Sequence, residues 1–281
     1  MNQPSLTIGF SPCPNDTFAF YALVHGKIPL RGMSFAQQFG DIESLNMMAM
    51  RSELDVTKLS YHALGHVRSE YFLLRSGGAL GRGCGPLVVA REACDVAALA
   101  GRRIAVPGRY TTAFLLLLLC NPSLGDDAVF MPFDRIMHAV SRGEADAGVI
   151  IHESRFTYGA YGLKAIMDLG QWWEAETALP LPLGAVAVRR SLGAETARKV
   201  ETLIRESVQY ALRHPGEPLP YVRTHAQEMD VRVMGKHIEL YVNPSSVGLD
   251  EEGEAAVRRL LAMAETRGIL RESSTPLFPW D

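Results

Sequence analysis

The run Gly148-Val149-Ile150-Ile151 reads as a buried strand, and it ends in His152-Glu153 ahead of the polar Ser154-Arg155. Histidine titrates near neutral pH, so a small change of surroundings makes it a base. The end of a strand in an open α/β sheet is where such folds gather their ligands. His152 is therefore the first candidate for chemistry, although a histidine there can also simply cap a strand. Three strand-to-helix junctions share its position: Ser11–Asp16, Lys58–Ser60 and Gly108–Thr112. Each puts small or hydroxyl residues at a helix start, where unpaired N–H groups and the helix dipole favour an anion. A carboxylate would be held there by the N–H of Thr112 or Ala113, by the Ser60 hydroxyl, or by both. Any one junction is an ordinary cap. Their convergence with His152 points to a cleft for a small carboxylate.

Other chemical residues form weaker patterns. His62 and His66 are four apart, the spacing of metal ligands on a helix, but no Glu lies between them in the His-Glu-x-x-His manner, so no metal is expected. His25, His138, His214, His225 and His237 stand alone and read as surface or structural. Cys13, Cys84, Cys94 and Cys120 form no Cys-x-x-Cys, which argues for reduced thiols, and Cys13 is assigned to packing. The Gly77–Gly83 stretch lacks the Lys-Ser/Thr of a phosphate loop and reads as turn-rich backbone near a hinge. Trp172-Trp173 can line a pocket or plug a core.

These residues must be positioned by alternating strands and helices. Leu6–Phe10 reads as a strand, followed by a helix from about Thr17 to Val24 with Asn15 or Asp16 as its N-cap. Asp55–Leu59 is a second strand, after which Ser60 caps a helix through Val67. Arg103–Val106 leads into the helix of the leucine run, and a helix at Arg135–Arg142 precedes the strand ending at His152. This alternation implies βαβ units and parallel sheet. Two amphipathic helices follow, one carrying Val200, Leu203, Ile204, Val208 and Leu212 on one face, the other capped by Asp250 and carrying Val257, Leu260, Leu261 and Ala264.

Two similar apolar segments, Gly85–Arg91 and Leu183–Arg189, bracket a middle region about one domain long. The expected architecture is two α/β domains joined by two crossing strands over a cleft. The larger is discontinuous, 1–88 plus 189–281, and the smaller spans 89–188. This is the layout of type II periplasmic-binding-protein-like folds, with a hinge beneath the cleft.

Bulk properties exclude other classes. With 28 Lys plus Arg against 31 Asp plus Glu in 281 residues, no basic field invites nucleic acid or an anionic membrane. The longest apolar run, Ala113–Cys120, is far short of the ~20 residues that span a bilayer. Met1-Asn2-Gln3-Pro4-Ser5 has neither the charged nor the apolar part of a secretion leader, so a cytoplasmic location is expected.

Five blocks carry a specific resemblance: Ser11-Pro12-Cys13-Pro14-Asn15-Asp16-Thr17-Phe18, Thr57-Lys58-Leu59-Ser60-Tyr61, Arg75-Ser76-Gly77-Gly78-Ala79-Leu80-Gly81, Val106-Pro107-Gly108-Arg109-Tyr110-Thr111-Thr112-Ala113 and Ile151-His152-Glu153-Ser154-Arg155-Phe156-Thr157-Tyr158. In these, and in their order over nearly the whole chain, the sequence resembles the 1,4-dihydroxy-6-naphthoate synthases of the futalosine route to menaquinone. The resemblance implies a carbon–carbon lyase that converts cyclic dehypoxanthine futalosine into 1,4-dihydroxy-6-naphthoate, releasing a three-carbon fragment without metal or organic cofactor. It implies His152 as proton acceptor, with substrate contacts from Lys58, Leu59 and Ser60 and from Thr112 and Ala113. Two other readings stay open on the residues alone: a chorismate dehydratase-like enzyme of the same pathway, and a non-catalytic protein that binds a small carboxylate. The roles of Asn15, Asn46, Glu153 and Arg155 also stay open.

Overall fold

Strands form where the sequence keeps apolar, β-branched residues together, and most are buried on both faces, as strands covered by helices must be. The computed structural model describes residues 5–226 and 230–280, and Met1–Pro4, read above for a leader, lie outside them. Among the described residues the strands are β1 (Leu6–Phe10), β2 (Phe35–Phe39), β3 (Val56–Ser60), β4 (Tyr71–Gly81), β5 (Leu87–Ala90), β6 (Ile104–Val106), β7 (Ala128–Phe130), β8 (Ala147–Ile150), β9 (Lys164–Asp168) and β10 (Leu181–Arg189). They form two five-stranded sheets, ordered β2-β1-β3-β10-β4 and β7-β6-β8-β5-β9.

The two sheets share one plan. In the first, β1 pairs parallel with β2 and β3, while β10 runs antiparallel to both β3 and β4. In the second, β6 pairs parallel with β7 and β8, while β5 runs antiparallel to both β8 and β9. The sheets are therefore mixed rather than wholly parallel. In each, the antiparallel strand is the one entered directly after the chain crosses from the other sheet.

Both crossings come earlier in the chain than the expected positions 88 and 189. Leu87 and Val88 already pair within the second sheet, and β10 lies wholly within the first. The two apolar segments that looked like crossing strands are thus core strands of one sheet each. We propose boundaries at 82–86 and within 169–181 in place of 88 and 189. Gly85 and Gly170 meet there: a β-carbon on Gly85 would lie 2.3 Å from the Gly170 backbone, so neither position has room for a side chain. Arg155 ties the place down, donating to the Gly85 carbonyl and to Asp168, the latter at 2.7 Å.

Several helices begin where their caps require. Asp41 accepts from the N–H groups of Glu43 and Ser44 to start Ile42–Met50, and Asp250 accepts from Gly253 to start Glu251–Thr266. The first helix, Pro14–Val24, starts earlier than expected. Proline's fixed φ suits the first helical position, so Pro14 takes it and Asn15 and Asp16 fall within the first turn instead of capping it. The glycine-rich stretch is not loose hinge backbone. It is the end of β4, and its pairing with β10 shifts register around Gly184, with Gly77 at φ +82°. Trp173 plugs the core, fully buried, with its indole N–H on the Pro180 carbonyl. No helix among the described residues is long and apolar enough to cross a membrane.

Candidate active site

The loops after β1, β3, β6 and β8 converge on one cavity between the two sheets. Of the expected site residues, His152, Lys58, Ser60, Thr112 and Ala113 line it. Leu59 does not: its side chain alternates to the opposite face of β3 and is fully buried in the core. Ser11, Asn15, Asp16, Cys84 and Tyr241 complete much of the wall.

The polar floor is a buried ion pair. Lys58 Nζ lies 2.8 Å from Asp16 Oδ1, with side-chain exposures of only 6% and 4%. Such a pair survives burial only with further hydrogen bonds around it. Asp16 Oδ2 accepts from the Ser11 N–H at 3.2 Å and the Ser11 hydroxyl at 2.8 Å, while Oδ1 also accepts from Asn15 Nδ2 at 2.9 Å. Lys58 donates a second time to the Gly77 carbonyl at 2.9 Å, which the irregular end of β4 turns toward it. Two of the three N–H groups of the lysine are thereby used within the protein, and further donors to an anion come from other groups.

Those groups are at the helix starts. Thr111 caps Thr112–Cys120, its hydroxyl accepting from Phe114 N–H at 3.2 Å. As in any helix, the N–H groups of Thr112 and Ala113 in that first turn have no intrahelical acceptor. The start of the Tyr61–His66 helix is closed off differently. The Thr112 hydroxyl accepts from the Tyr61 N–H at 3.0 Å and donates to the Leu183 carbonyl at 2.7 Å, clasping the two sheets together. Asn46 holds Ser60 from behind, accepting its N–H at 2.8 Å and donating to its hydroxyl oxygen at 3.2 Å. This leaves the Ser60 O–H to donate into the cavity. At the outer edge Glu43 accepts from the Tyr110 N–H at 3.1 Å, joining the two halves again. Burial pushes its carboxyl above the usual range.

His152 stands two residues past β8, half-buried, in the left-handed region at φ +56°. A non-glycine residue there is strained by the order of 1–3 kcal/mol. The ring packs edge-on against Phe133 at 5.0 Å between centroids. Burial lowers its pKa, and the charges of Glu153 and Asp16 work in the opposite direction. The balance favours a neutral imidazole, the state a base needs.

Sequence reasoning missed two contributors, Asp16 and His237, and left the role of Arg155 open. Asp16 is the hub of the floor rather than a cap. Arg155 serves the crossing instead of the cavity. His237, read as surface or structural, is fully buried on the helix Val231–Tyr241 behind His152. The spacing of Met234, His237 and Tyr241 on one helical face was the signal that could have placed it inside. His62 and His66 pack together against Tyr110, and among the described residues no three His, Cys, Asp or Glu side chains gather as a metal site.

Comparison with known proteins bears on this geometry. A family model described as "Menaquinone biosynthesis" matches residues 6–266. The 1,4-dihydroxy-6-naphthoate synthase of Thermus thermophilus is 53% identical over 274 residues, covering 98% of this chain and 99% of that protein. The enzyme of the same name from Streptomyces coelicolor is 48% identical, covering 96% of each. Among solved structures, a protein from Archaeoglobus fulgidus superposes with a TM-score of 0.88 at 39% identity, over 95% of this chain and 98% of its own. The periplasmic aliphatic sulphonate binding protein of Escherichia coli, at 12% identity and a TM-score of 0.65 over 96% of this chain and 90% of its own, shares the fold alone. The expected periplasmic-binding-protein-like architecture is thus the one present. By the extent and level of these matches, the chain belongs to the 1,4-dihydroxy-6-naphthoate synthase family of menaquinone biosynthesis.

Proposed function

We propose that this chain converts cyclic dehypoxanthine futalosine into 1,4-dihydroxy-6-naphthoate, with His152 taking a proton from carbon as a carbon–carbon bond breaks and the second ring becomes aromatic. The observation that carries the reading is a neutral-leaning imidazole in the wall of a cavity that also holds helix-start N–H groups. The substrate has the matching parts. Its carboxylate suits the N–H groups of Thr112 and Ala113 with the Ser60 hydroxyl, and its apolar ring suits Ile42, Ala79, Pro86, Ile151 and Leu183. Lys58 acts through Asp16, shaping the floor.

The test uses purified protein given cyclic dehypoxanthine futalosine and, in a separate reaction, chorismate, with the naphthoate followed by its absorbance. Turnover of the first alone is expected. Turnover of chorismate alone would assign the dehydratase chemistry, and binding without turnover of either would leave a carboxylate-binding protein. His152→Ala is expected to lower kcat ~10²–10⁴-fold, the usual worth of a positioned base, with binding largely retained. Full activity of His152→Ala would remove the base assignment.

A further inference from the structure

Among the described residues, the buried polar atoms behind His152 include two that face each other with no hydrogen-bond partner. They are Nδ1 of His237 and Oε2 of Glu153, 3.7 Å apart. The state of His237 follows from its neighbours. Asp16 Oδ1 can only accept, so the amide nitrogen of Asn15 must face it, as the 2.9 Å contact records. The amide oxygen of Asn15 then faces Nε2 of His237 at 2.9 Å, and Nε2 must carry the proton. Burial, together with His152 nearby, holds the His237 pKa well below the ordinary value, so the ring is neutral and its Nδ1 is a bare acceptor.

His237 is placed to govern His152. The two imidazole planes lie 13° apart with centroids separated by 5.9 Å, while Phe133 meets His152 from another side at 5.0 Å. His152 sits in strained left-handed backbone on a short loop, so its ring direction is not fixed by its own strand. His237 is fixed: it is fully buried, carried on a separate helix, and bonded through Asn15 to the Asp16–Lys58 floor. It also touches both halves of the cleft, since Asn15 follows β1 of the first sheet and Glu153 follows β8 of the second.

We propose that His237 is the positioning residue of His152, fixing its imidazole against the substrate by stacking from behind while bonded to Asn15 on one half of the cleft and packed beside Glu153 on the other. It touches no substrate itself and does not line the cavity. The inference rests on His152 being the base. It deepens that reading by naming the residue that fixes the ring of the base.

Three variants of the full-length protein test it, with His152→Ala beside them. His237→Phe keeps a flat ring and removes both nitrogens. Its kcat is expected to fall ~10²-fold, the scale of an ångström's misplacement at a reacting group, with KM changed less than about threefold. His237→Gln, which can donate to Asn15 from a similar distance, is expected to recover much of that loss. Glu153→Gln supplies an N–H to the bare Nδ1 and removes a negative charge. It is expected to raise the thermal midpoint and to move the acid limb of the kcat profile to lower pH, because Glu153 is a charge that raises the His152 pKa. The other charges facing His152, Asp16, Asp41 and Lys58, are unchanged in that variant.

A merely structural role predicts lower midpoints in His237→Phe and His237→Gln alike, with kcat per folded molecule intact. That outcome, or a Glu153→Gln acid limb that does not move, overturns the proposal. If His152→Ala is inactive while the His237 variants keep parental kcat, the positioning role alone fails. If His152→Ala is fully active, the base assignment fails with it.

Discussion

Replacing Lys58 with methionine isolates the contribution of the cavity floor. The methionine fills nearly the same space but deletes the ammonium, leaving the Asp16 carboxylate buried with three donors instead of four and the Gly77 carbonyl without its partner. Breaking a buried pair by removing one member costs about 3–5 kcal/mol. Because the Ser11 N–H, the Ser11 hydroxyl and Asn15 still solvate Asp16, the lower end, about 3 kcal/mol, is expected. The companion Asp16→Asn strands the ammonium and is expected to cost at least as much. The double variant removes both charges and is expected to recover about 2 kcal/mol against the sum of the singles, within the coupling range of contacting residues. Urea unfolding of the four proteins, with the m-value checked for constancy, measures this directly. A loss below about 1 kcal/mol in Lys58→Met, or a double variant no better than the sum, would refute the account of the floor as one interdependent unit.

Two further outcomes follow from the same geometry. Thr112→Val leaves the Tyr61 N–H and the Leu183 carbonyl without partners. It is expected to cost about 2–6 kcal/mol in urea unfolding, at 1–3 kcal/mol per stranded group, whereas Thr112→Ser stays near the parent. His62 is buried and its pKa is pushed down to about 4 from 6.5. Its unfolded form therefore binds the proton first, and stability is lost as pH falls through the window from 6.5 to 4. The shift is worth about 3 kcal/mol at 1.36 kcal/mol per unit, so His62→Phe is expected to lose about that much less stability than the parent between pH 7 and 4. Parallel stability–pH curves for the two proteins would contradict it.

Much of the site's frame was legible in the chain because its signals are local. A buried strand before His152, a leucine helix capped at Thr111 and the hydroxyl-bearing junctions all announce themselves within a dozen residues. The contacts that complete the site are not local. Lys58 meets Asp16 across 42 positions, and His237 meets Asn15 across 222. Side chains that look like caps or surface groups in sequence acquire those roles only when the sheets assemble. The edge strand Phe35-Ala36-Gln37-Gln38-Phe39 went unread for another reason. It is short and mostly exposed, so pairing with β1 decides its form more than its own composition does. The antiparallel strands β5 and β10 were visible as strands, but their direction depends on where the chain crosses, which no local pattern encodes.

The contact of Gly85 with Gly170 gives the second half of the molecule the topology of an insertion whose two ends meet. The segment between them leaves the first half and returns to it at one spot. For the host half, the excursion is therefore equivalent to a tight turn between β4 and β10, and it imposes almost no stretch on the strands it interrupts. The wall of the cavity is divided across that seam: Asp16, Lys58 and Ser60 belong to the host, Thr112, Ala113 and His152 to the insert. Neither polypeptide piece contains a complete site. The proposed function thus requires their apposition, and the rate at which separately made halves regain turnover on mixing would report the strength of that seam.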